Sequence, residues 1–174
     1  MRWTIVGTGR LGSALRHWFA DSGAPAEIVP HAGVAAWRRR LPQSPPGSLL
    51  LAVPDDALAP LARQLAAARR DWQGWRILHT SGALDSSVLA PLQRRGAAAG
   101  SLHPMMTFPP PSRRAPASKG IVFSYEGDAA ARRAAAGLIR RWRGLPLPLA
   151  PGLKTAYPLA ATLVGPGAVV EMAA

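Results

Sequence analysis

The sequence predicts an α/β fold, a doubly wound and mostly parallel sheet followed by the start of a helical segment. Three observations carry that expectation. Short apolar runs of strand length alternate with stretches of helical apolar spacing as far as about residue 150. One of those runs, Leu49 to Val53, is apolar at every position, as in parallel strands covered on both faces. The first run passes at once into Gly7-Thr8-Gly9-Arg10-Leu11-Gly12, a glycine-rich turn that opens a helix.

Each element can be justified in turn. Arg2 to Val6 reads as a buried strand, and the helix after the glycine turn continues through Phe19 until Asp21-Ser22-Gly23 ends it. Ala26 to Pro30 is a short second strand with His31 at its end, followed by Arg38, Arg39 and Arg40 on a short helix. The proline-rich connection 42–47 leads to the strand Ser48 to Val53, which stops at Pro54-Asp55-Asp56. A helix from about Ala57 to Arg70 buries Leu58, Leu61 and Leu65, with Asp55 or Asp56 available as its N-cap. Trp75 to Leu78 is a strand running into His79-Thr80-Ser81-Gly82, and a helix is expected over about Ser86 to Arg95. Ala97 to Leu102 is the next strand, ending in His103-Pro104. A Pro, Ser and Arg loop over 109–117, a strand Ile121 to Tyr125, an Ala-rich helix to about Trp142 and a strand Leu145 to Leu149 complete a domain spanning 1–150. Residues 151–174 read as the beginning of a helical region, broken by Pro158 and by Gly165-Pro166-Gly167. Leu159, Leu163, Val164, Val169 and Val170 there form an apolar set too short to cover itself, which favours self-association.

Composition narrows the function classes. The chain has 174 residues, enough for one real core without covalent staples. It has no cysteine, which excludes disulfides, thiolate metal sites and cysteine nucleophiles and makes a reducing cytoplasm the default compartment. No segment reaches the roughly 18 uninterrupted apolar residues of a membrane span. The net charge of +12 raises nucleic acid as a partner. Nineteen of the 21 basic residues are arginine, however, and they are scattered in pairs at helix ends and loops, so a solvated face is the better reading. No metal site is expected, because His79 and His103 lack further ligands.

The glycine turn has a specific chemistry. Gly7 permits the tight turn, Gly9 lets the backbone approach a pyrophosphate, and Gly12 lets the helix pack against the strand. Thr8, Arg10 and Leu11 complete the loop, and a ligand's negative charge would face free helix N–H groups. A merely structural turn is the alternative. An NAD site usually places Asp or Glu at the end of the second strand, to bond the ribose 2′-hydroxyl. His31 stands there instead, with three arginines close behind, so NADP is favoured over NAD. A solvated basic helix end explains the same residues.

The succession GTGRLG, LLLAVPDDAL and ILHTSGALDSSVLAPLQRRGAAAGSLHPMMTF, with a late Lys-x-x-Tyr, resembles the Rossmann-like proteins that carry a DUF2520 C-terminal domain. These are similar to the 6-phosphogluconate dehydrogenase, β-hydroxyacid dehydrogenase and pyrroline-5-carboxylate reductase group. HTSGAL and GSLHP are the specific segments, and the resemblance covers about residues 2 to 157. It implies an NAD(P)-dependent oxidoreductase acting on a small oxo or imino acid, ketopantoate-like for example, with an all-helical C-terminal domain that dimerises and closes the site. It also places Val53 and Pro54 beside the nicotinamide or its ribose. The family continues past Lys-x-x-Tyr with His and a long helix, whereas Pro158 follows Tyr157 here and most of the helical domain is missing. A catalytically incomplete module that binds or senses NADP(H) is therefore the second reading, and nucleic-acid binding through arginine the third.

Four residues are candidates for the reaction itself. His79 and His103 end neighbouring strands, with Thr80 and Ser81 beside the first, which suits proton transfer or anion binding. Capping of strand ends by bonds to backbone carbonyls is the alternative for both histidines. Lys154 is the candidate proton donor, since a desolvated lysine can protonate a developing alkoxide.

Overall fold

The computed structural model describes residues 2–24, 26–110, 115–150 and 153–154. Its seven strands are β1 (Trp3–Val6), β2 (Ala26–Val29), β3 (Ser48–Leu51), β4 (Arg76–His79), β5 (Ala98–Pro104), β6 (Val122–Gly127) and β7 (Leu145–Pro148). The helices are α1 (Arg10–Asp21), α2 (Val34–Arg38), α3 (Asp55–Ala68), α4 (Ala90–Gln93) and α5 (Ala129–Arg141). All strands lie in one sheet of order β2-β1-β3-β4-β5-β6-β7. Every neighbouring pair is parallel except β5 and β6. The expected α/β fold with a mostly parallel, doubly wound sheet is what the chain forms.

Two apolar layers cover the sheet. One packs Val6, Leu49, Leu51 and Ile77 against Leu58, Leu61 and Leu65 of α3 and against Leu92 of α4. The other packs Ile5, Leu50, Leu78 and Phe123 against Trp18 and Phe19 of α1 and Leu138 and Ile139 of α5. The alternation along β3 explains why its sequence carries no polar face: Leu49 and Leu51 serve one layer and Leu50 the other. All six tryptophans are buried, Trp18 and Trp142 meeting ring to ring at 5.5 Å. They are core, as their scatter along the chain suggests, and offer no stacking platform for bases.

Three details depart from the sequence expectations. First, the expected helix over Ser86 to Arg95 is a 3₁₀ turn, Ser86–Leu89, followed by the short α4. Asp85 caps the turn by accepting a bond from the Ser87 amide, and Pro91 falls in the first turn of α4, the position a proline tolerates. Second, α3 starts at Asp55, so neither Asp55 nor Asp56 is its N-cap. Pro54 holds that position without a side-chain bond, and both acids sit in the first turn, where the helix dipole favours negative charge. Third, β5 extends through His103 and Pro104. Beyond residue 150 only Leu153 and Lys154 are described, so the expected helical region, Tyr157, Pro158 and the apolar set 159–170 lie outside the described residues. Among the described residues no helix is long and apolar enough to cross a membrane.

Candidate active site

The glycine turn sits where the strand order reverses, between β1 and β3. Gly7 has φ of +117°, and a Cβ there would lie 2.1 Å from the Ala52 carbonyl oxygen. At Gly12 a Cβ would stand 2.3 Å from the Gly7 carbonyl oxygen. Both positions are closed to any side chain by backbone. Gly9 is different, because nothing lies within 4 Å of where its Cβ would be. It is the N-cap of α1, no side chain bonds that helix start, and the first turn holds no acid. Thr8, Gly9 and Arg10 are exposed, with Leu11 half-buried behind them. The turn therefore presents uncapped backbone N–H groups to open space. That geometry fits an anionic group such as a pyrophosphate.

On the other side of β1 a cleft of about 330 Å³ is bordered by His31, Val34, Ala35, Val53, Leu61 and Gln64. Its lining is mainly apolar, and His31 stands exposed at its edge. The three arginines behind it are not equivalent. Arg40 pairs with Glu27 at 2.6 Å, and Arg38 donates to the Gln64 side chain. The Arg39 side chain is exposed and bonds none of the described residues. Elsewhere arginine also serves structure. Arg69 lies over the rings of Trp72 and Trp75 and donates to the Leu41 and Ser44 carbonyls, while Arg141 donates to the Ser22 carbonyl.

A second, buried group lies beyond the carboxyl ends of β4 and β5. The His79 ring is wholly enclosed, with Nε2 3.1 Å from the Asp85 carbonyl oxygen and Nδ1 3.3 Å from the Ser81 amide. Nε2 must donate and Nδ1 accept, which fixes a neutral tautomer. Burial, reinforced by the charge of Lys154, pushes its pKa down to about 3. His103 places Nδ1 3.0 Å from the Thr80 carbonyl oxygen, so that nitrogen donates and Nε2 is left as an acceptor. Burial lowers its pKa as well, against the opposing effect of the Thr80 bond. Nε2 of His103 abuts Gly82, where a Cβ would lie 2.8 Å away. Thr80 donates to the Leu51 carbonyl, tying β4 to β3 beside Val53 and the exposed Pro54. The Ser81 hydroxyl oxygen accepts from the Ala83 and Leu84 amides at 3.1 and 2.9 Å. Each histidine thus bonds a backbone carbonyl, and Ser81 shapes its own turn.

Lys154 completes the group. Its side chain is 1% exposed, and its Nζ has no hydrogen-bond partner among the described residues. Burial pushes its pKa down to about 8, opposed by the carboxylates of Glu126, Asp85 and Asp55 in that order. Asp85 is held below the usual carboxylate range by the Ser87 hydroxyl and amide. The structure thus brings His79, Thr80, Ser81, His103 and Lys154 to one end of the sheet. It sets the glycine turn and His31 apart from them, with Val53 and Pro54 between. Sequence reasoning missed Gly82, Ser86 and Glu126. The Asp85-x-Ser87 capping pattern was available to place the turn; nothing local marks Glu126 inside an apolar strand.

A parallel sheet whose order reverses beside its first strand, with a glycine turn feeding a helix at that point, defines the doubly wound class of α/β domain. The chain belongs to the Rossmann-like domain family, whose model matches residues 1–104. No curated protein sequence matches it. Among solved structures it is similar to a candidate NADP oxidoreductase of Bacteroides fragilis, at 18% identity and a TM-score of 0.69, over 94% of this chain and 66% of that one. A reductive aminase of Aspergillus terreus in complex with NADPH and ethyl levulinate matches at 18% identity and 0.67, over 93% and 60%. A prephenate dehydrogenase of Aquifex aeolicus in complex with hydroxyphenyl propionate and NAD+ matches at 13% identity and 0.67, over 94% and 69%. The likeness is one of fold, and the chain spans 60% to 69% of the length of these three proteins.

Proposed function

We propose that the chain is the nucleotide-binding part of an NAD(P)-dependent oxidoreductase that reduces a small oxo or imino acid. The observation that carries this is the open Gly9 position at an uncapped, acid-free helix start, facing the same end of the sheet as the buried Lys154. The structural neighbours crystallised with NADPH or NAD+ share this fold, which supports the reading.

In this proposal the turn from Gly7 to Gly12 holds the pyrophosphate through backbone N–H groups, with Thr8 and Arg10 beside it. The cleft beside His31 takes the adenosine end, and His31 and Arg39 face a 2′-phosphate, which favours NADP over NAD. Val53 and Pro54 border the ribose of the nicotinamide. When bound, the cofactor supplies the hydride. Lys154 gives its proton to the oxygen or nitrogen that gains negative charge as the hydride arrives. His79, with both ring nitrogens engaged, holds the turn 80–85 in place rather than exchanging protons. His103 offers Nε2 as an acceptor, and the Ser81 hydroxyl keeps its proton free to donate toward a substrate. A homodimer closing this end of the sheet and a cytoplasmic setting complete the proposal.

Calorimetric titration of the chain with NADPH and NADH, against a nucleotide lacking nicotinamide, tests it. Saturable binding of NADPH is expected, and its absence in folded protein would remove the proposal. One alternative is a module that binds or senses NADP(H) without turning a substrate over. Tight NADPH binding with no turnover on any small oxo or imino acid would select it.

A further inference from the structure

The polar end of the sheet leaves three buried atoms without a partner among the described residues: Ser101 Oγ, Glu126 Oε1 and Lys154 Nζ. The strand register explains how two of them come together. Ser101 pairs with His79 across β4 and β5, and with Glu126 across β5 and β6. Side chains paired in this way share one face of the sheet. His79, Ser101 and Glu126 therefore form a polar row on the face covered by the 3₁₀ turn Ser86–Leu89. Glu126 is anchored there through its other oxygen, which accepts from the Ser86 hydroxyl at 2.8 Å. Among the carboxylates that act on Lys154 its charge is felt most strongly.

A buried carboxylate oxygen or ammonium left unbonded carries the full cost of its lost hydration, so such groups are nearly always paired with protein or ordered water. Glu126 Oε1 and Lys154 Nζ make no direct hydrogen bond with each other. A single water bonding about three polar groups is the ordinary way to satisfy such a set. The other groups facing Lys154 cannot substitute for Glu126. The Asp85 carboxylate is engaged by the Ser87 amide and hydroxyl, and Asp55 is exposed in the first turn of α3. His79 and His103 are uncharged at neutral pH, their pKa values lowered by burial. Glu126 is the one neighbouring acid that is both buried and left with a free oxygen.

We propose that Glu126 is the positioning residue of Lys154: a water bonded to Glu126 Oε1 and Lys154 Nζ, with Ser101 Oγ as its third partner, holds the lysine in place and keeps its proton on. The consequence for catalysis rests on Lys154 being the proton donor of the proposed reductase; the pairing itself does not. No covalent change is involved. The negative charge of Glu126 offsets the desolvation of the ammonium, and the bridging water fixes the direction of the remaining N–H bonds.

The chain has only two lysines, Lys119 and Lys154, which makes the test direct. Biosynthetic labelling of the full chain with lysine carrying ¹³C at Cε leaves every N–H in place and gives one signal for each lysine, and each is followed by NMR as pH is raised. In Glu126→Gln the Lys154 midpoint is expected to fall by about one unit, while Lys119 stays in place. Ser101→Ala is expected to move it in the same direction by less, and Glu126→Asp to restore part of the shift. An unchanged Lys154 midpoint in folded Glu126→Gln would overturn the proposal, as would an equal movement of Lys119. If Glu126→Gln does not fold, Ser101→Ala decides: an unchanged Lys154 midpoint in that folded variant overturns the bridged arrangement. NADPH affinity is read in parallel and is expected to be the same in Glu126→Gln as in the parent. A parent chain that binds no NADPH defeats the reductase reading and leaves the lysine measurement standing.

Discussion

The two ends of the candidate site are built in opposite ways. The glycine turn is defined by what has been removed: no side chain at Gly9, no cap and no acid at the start of α1. The β4–β6 end is defined by what has been enclosed: two histidines bonded to backbone, a serine spanning its own turn, and a lysine and a glutamate shielded from bulk solvent. The first arrangement suits a large, charged ligand that brings its own polar atoms. The second suits a proton that must be kept from solvent until it is needed. Open backbone sites tolerate surface change and fail when filled, whereas enclosed sites fail when a single charge is left alone.

The largest expected effect comes from filling the turn, and two glycines separate binding from folding. Gly9→Asp should abolish NADPH binding, a loss of more than about 1000-fold, because it places a carboxylate where the pyrophosphate belongs. Its melting temperature should barely change, since its Cβ meets nothing within 4 Å. Gly12→Val should instead destabilise the fold by roughly 3 kcal/mol or more, because its Cβ falls 2.3 Å from the Gly7 carbonyl oxygen. Calorimetry and thermal melts on both variants check the contrast. Full affinity in folded Gly9→Asp would end the assignment of the turn.

The enclosed end should reveal itself as a dependence of stability on acid. His79 is held near pKa 3 in the folded chain against 6.5 when free, so between those values the unfolded chain binds more protons and unfolding becomes easier as pH falls. The stability present above about pH 6.5 should decline by up to a few kcal/mol on approaching pH 3. In His79→Gln the slope in that window should flatten, with lower stability at neutral pH because the Asp85 and Ser81 bonds are strained or lost. Urea titrations at several pH values measure this. The same slope in both proteins would show that other groups control acid unfolding.

How much of this was legible in the sequence follows the same division. The apolar runs and the glycine spacing are local signals, and they located the seven strands, the turn and the residues around it. The direction of β6 is marked as well: a parallel strand needs a crossover, usually helical, and residues 105–121 carry prolines and no helical period, in keeping with the antiparallel pairing of β5 with β6. Pro91 likewise marked where the expected helix over Ser86 to Arg95 had to start afresh. The polar row was beyond local reading. Ser101 and Glu126 are 25 residues apart, and only the strand register sets them side by side. Lys154 stands out by chemistry and resemblance, but the carboxylates whose charge acts on it, Glu126, Asp85 and Asp55, come from three separate parts of the fold.

Lys154 also gives the next expected effect. Replacing it with Ala should lower turnover by about 100-fold in whichever reduction the chain or its complete assembly carries out, with NADPH affinity unchanged. In the parent the rate should fall as pH rises through about 8, because the lysine must carry its proton to deliver it. Steady-state rates against pH provide the check. A pH profile flat through that range, together with an undiminished rate in Lys154→Ala, would assign the proton to another group.

The smallest expected effect concerns the outer edge of the glycine-turn end, where charge is exposed and screened. If His31 and Arg39 face a 2′-phosphate, NADPH should bind several-fold tighter than NADH, and Arg39→Ala should remove most of that preference at a cost of about 1 kcal/mol or less. Arg40→Ala should do less, because its guanidinium is already paired with Glu27 at 2.6 Å. Arg38→Ala should act mainly through Gln64, which it bonds at the border of the cleft. The preference should also shrink as salt rises, since exposed charges are screened within about 10 Å at ordinary ionic strength. Titrations of NADPH and NADH at low and high salt, on the parent and the three variants, rank these effects. Equal or tighter binding of NADH by the parent would mean that the basic residues behind β2 are a solvated helix end, and that the open turn alone supplies the affinity.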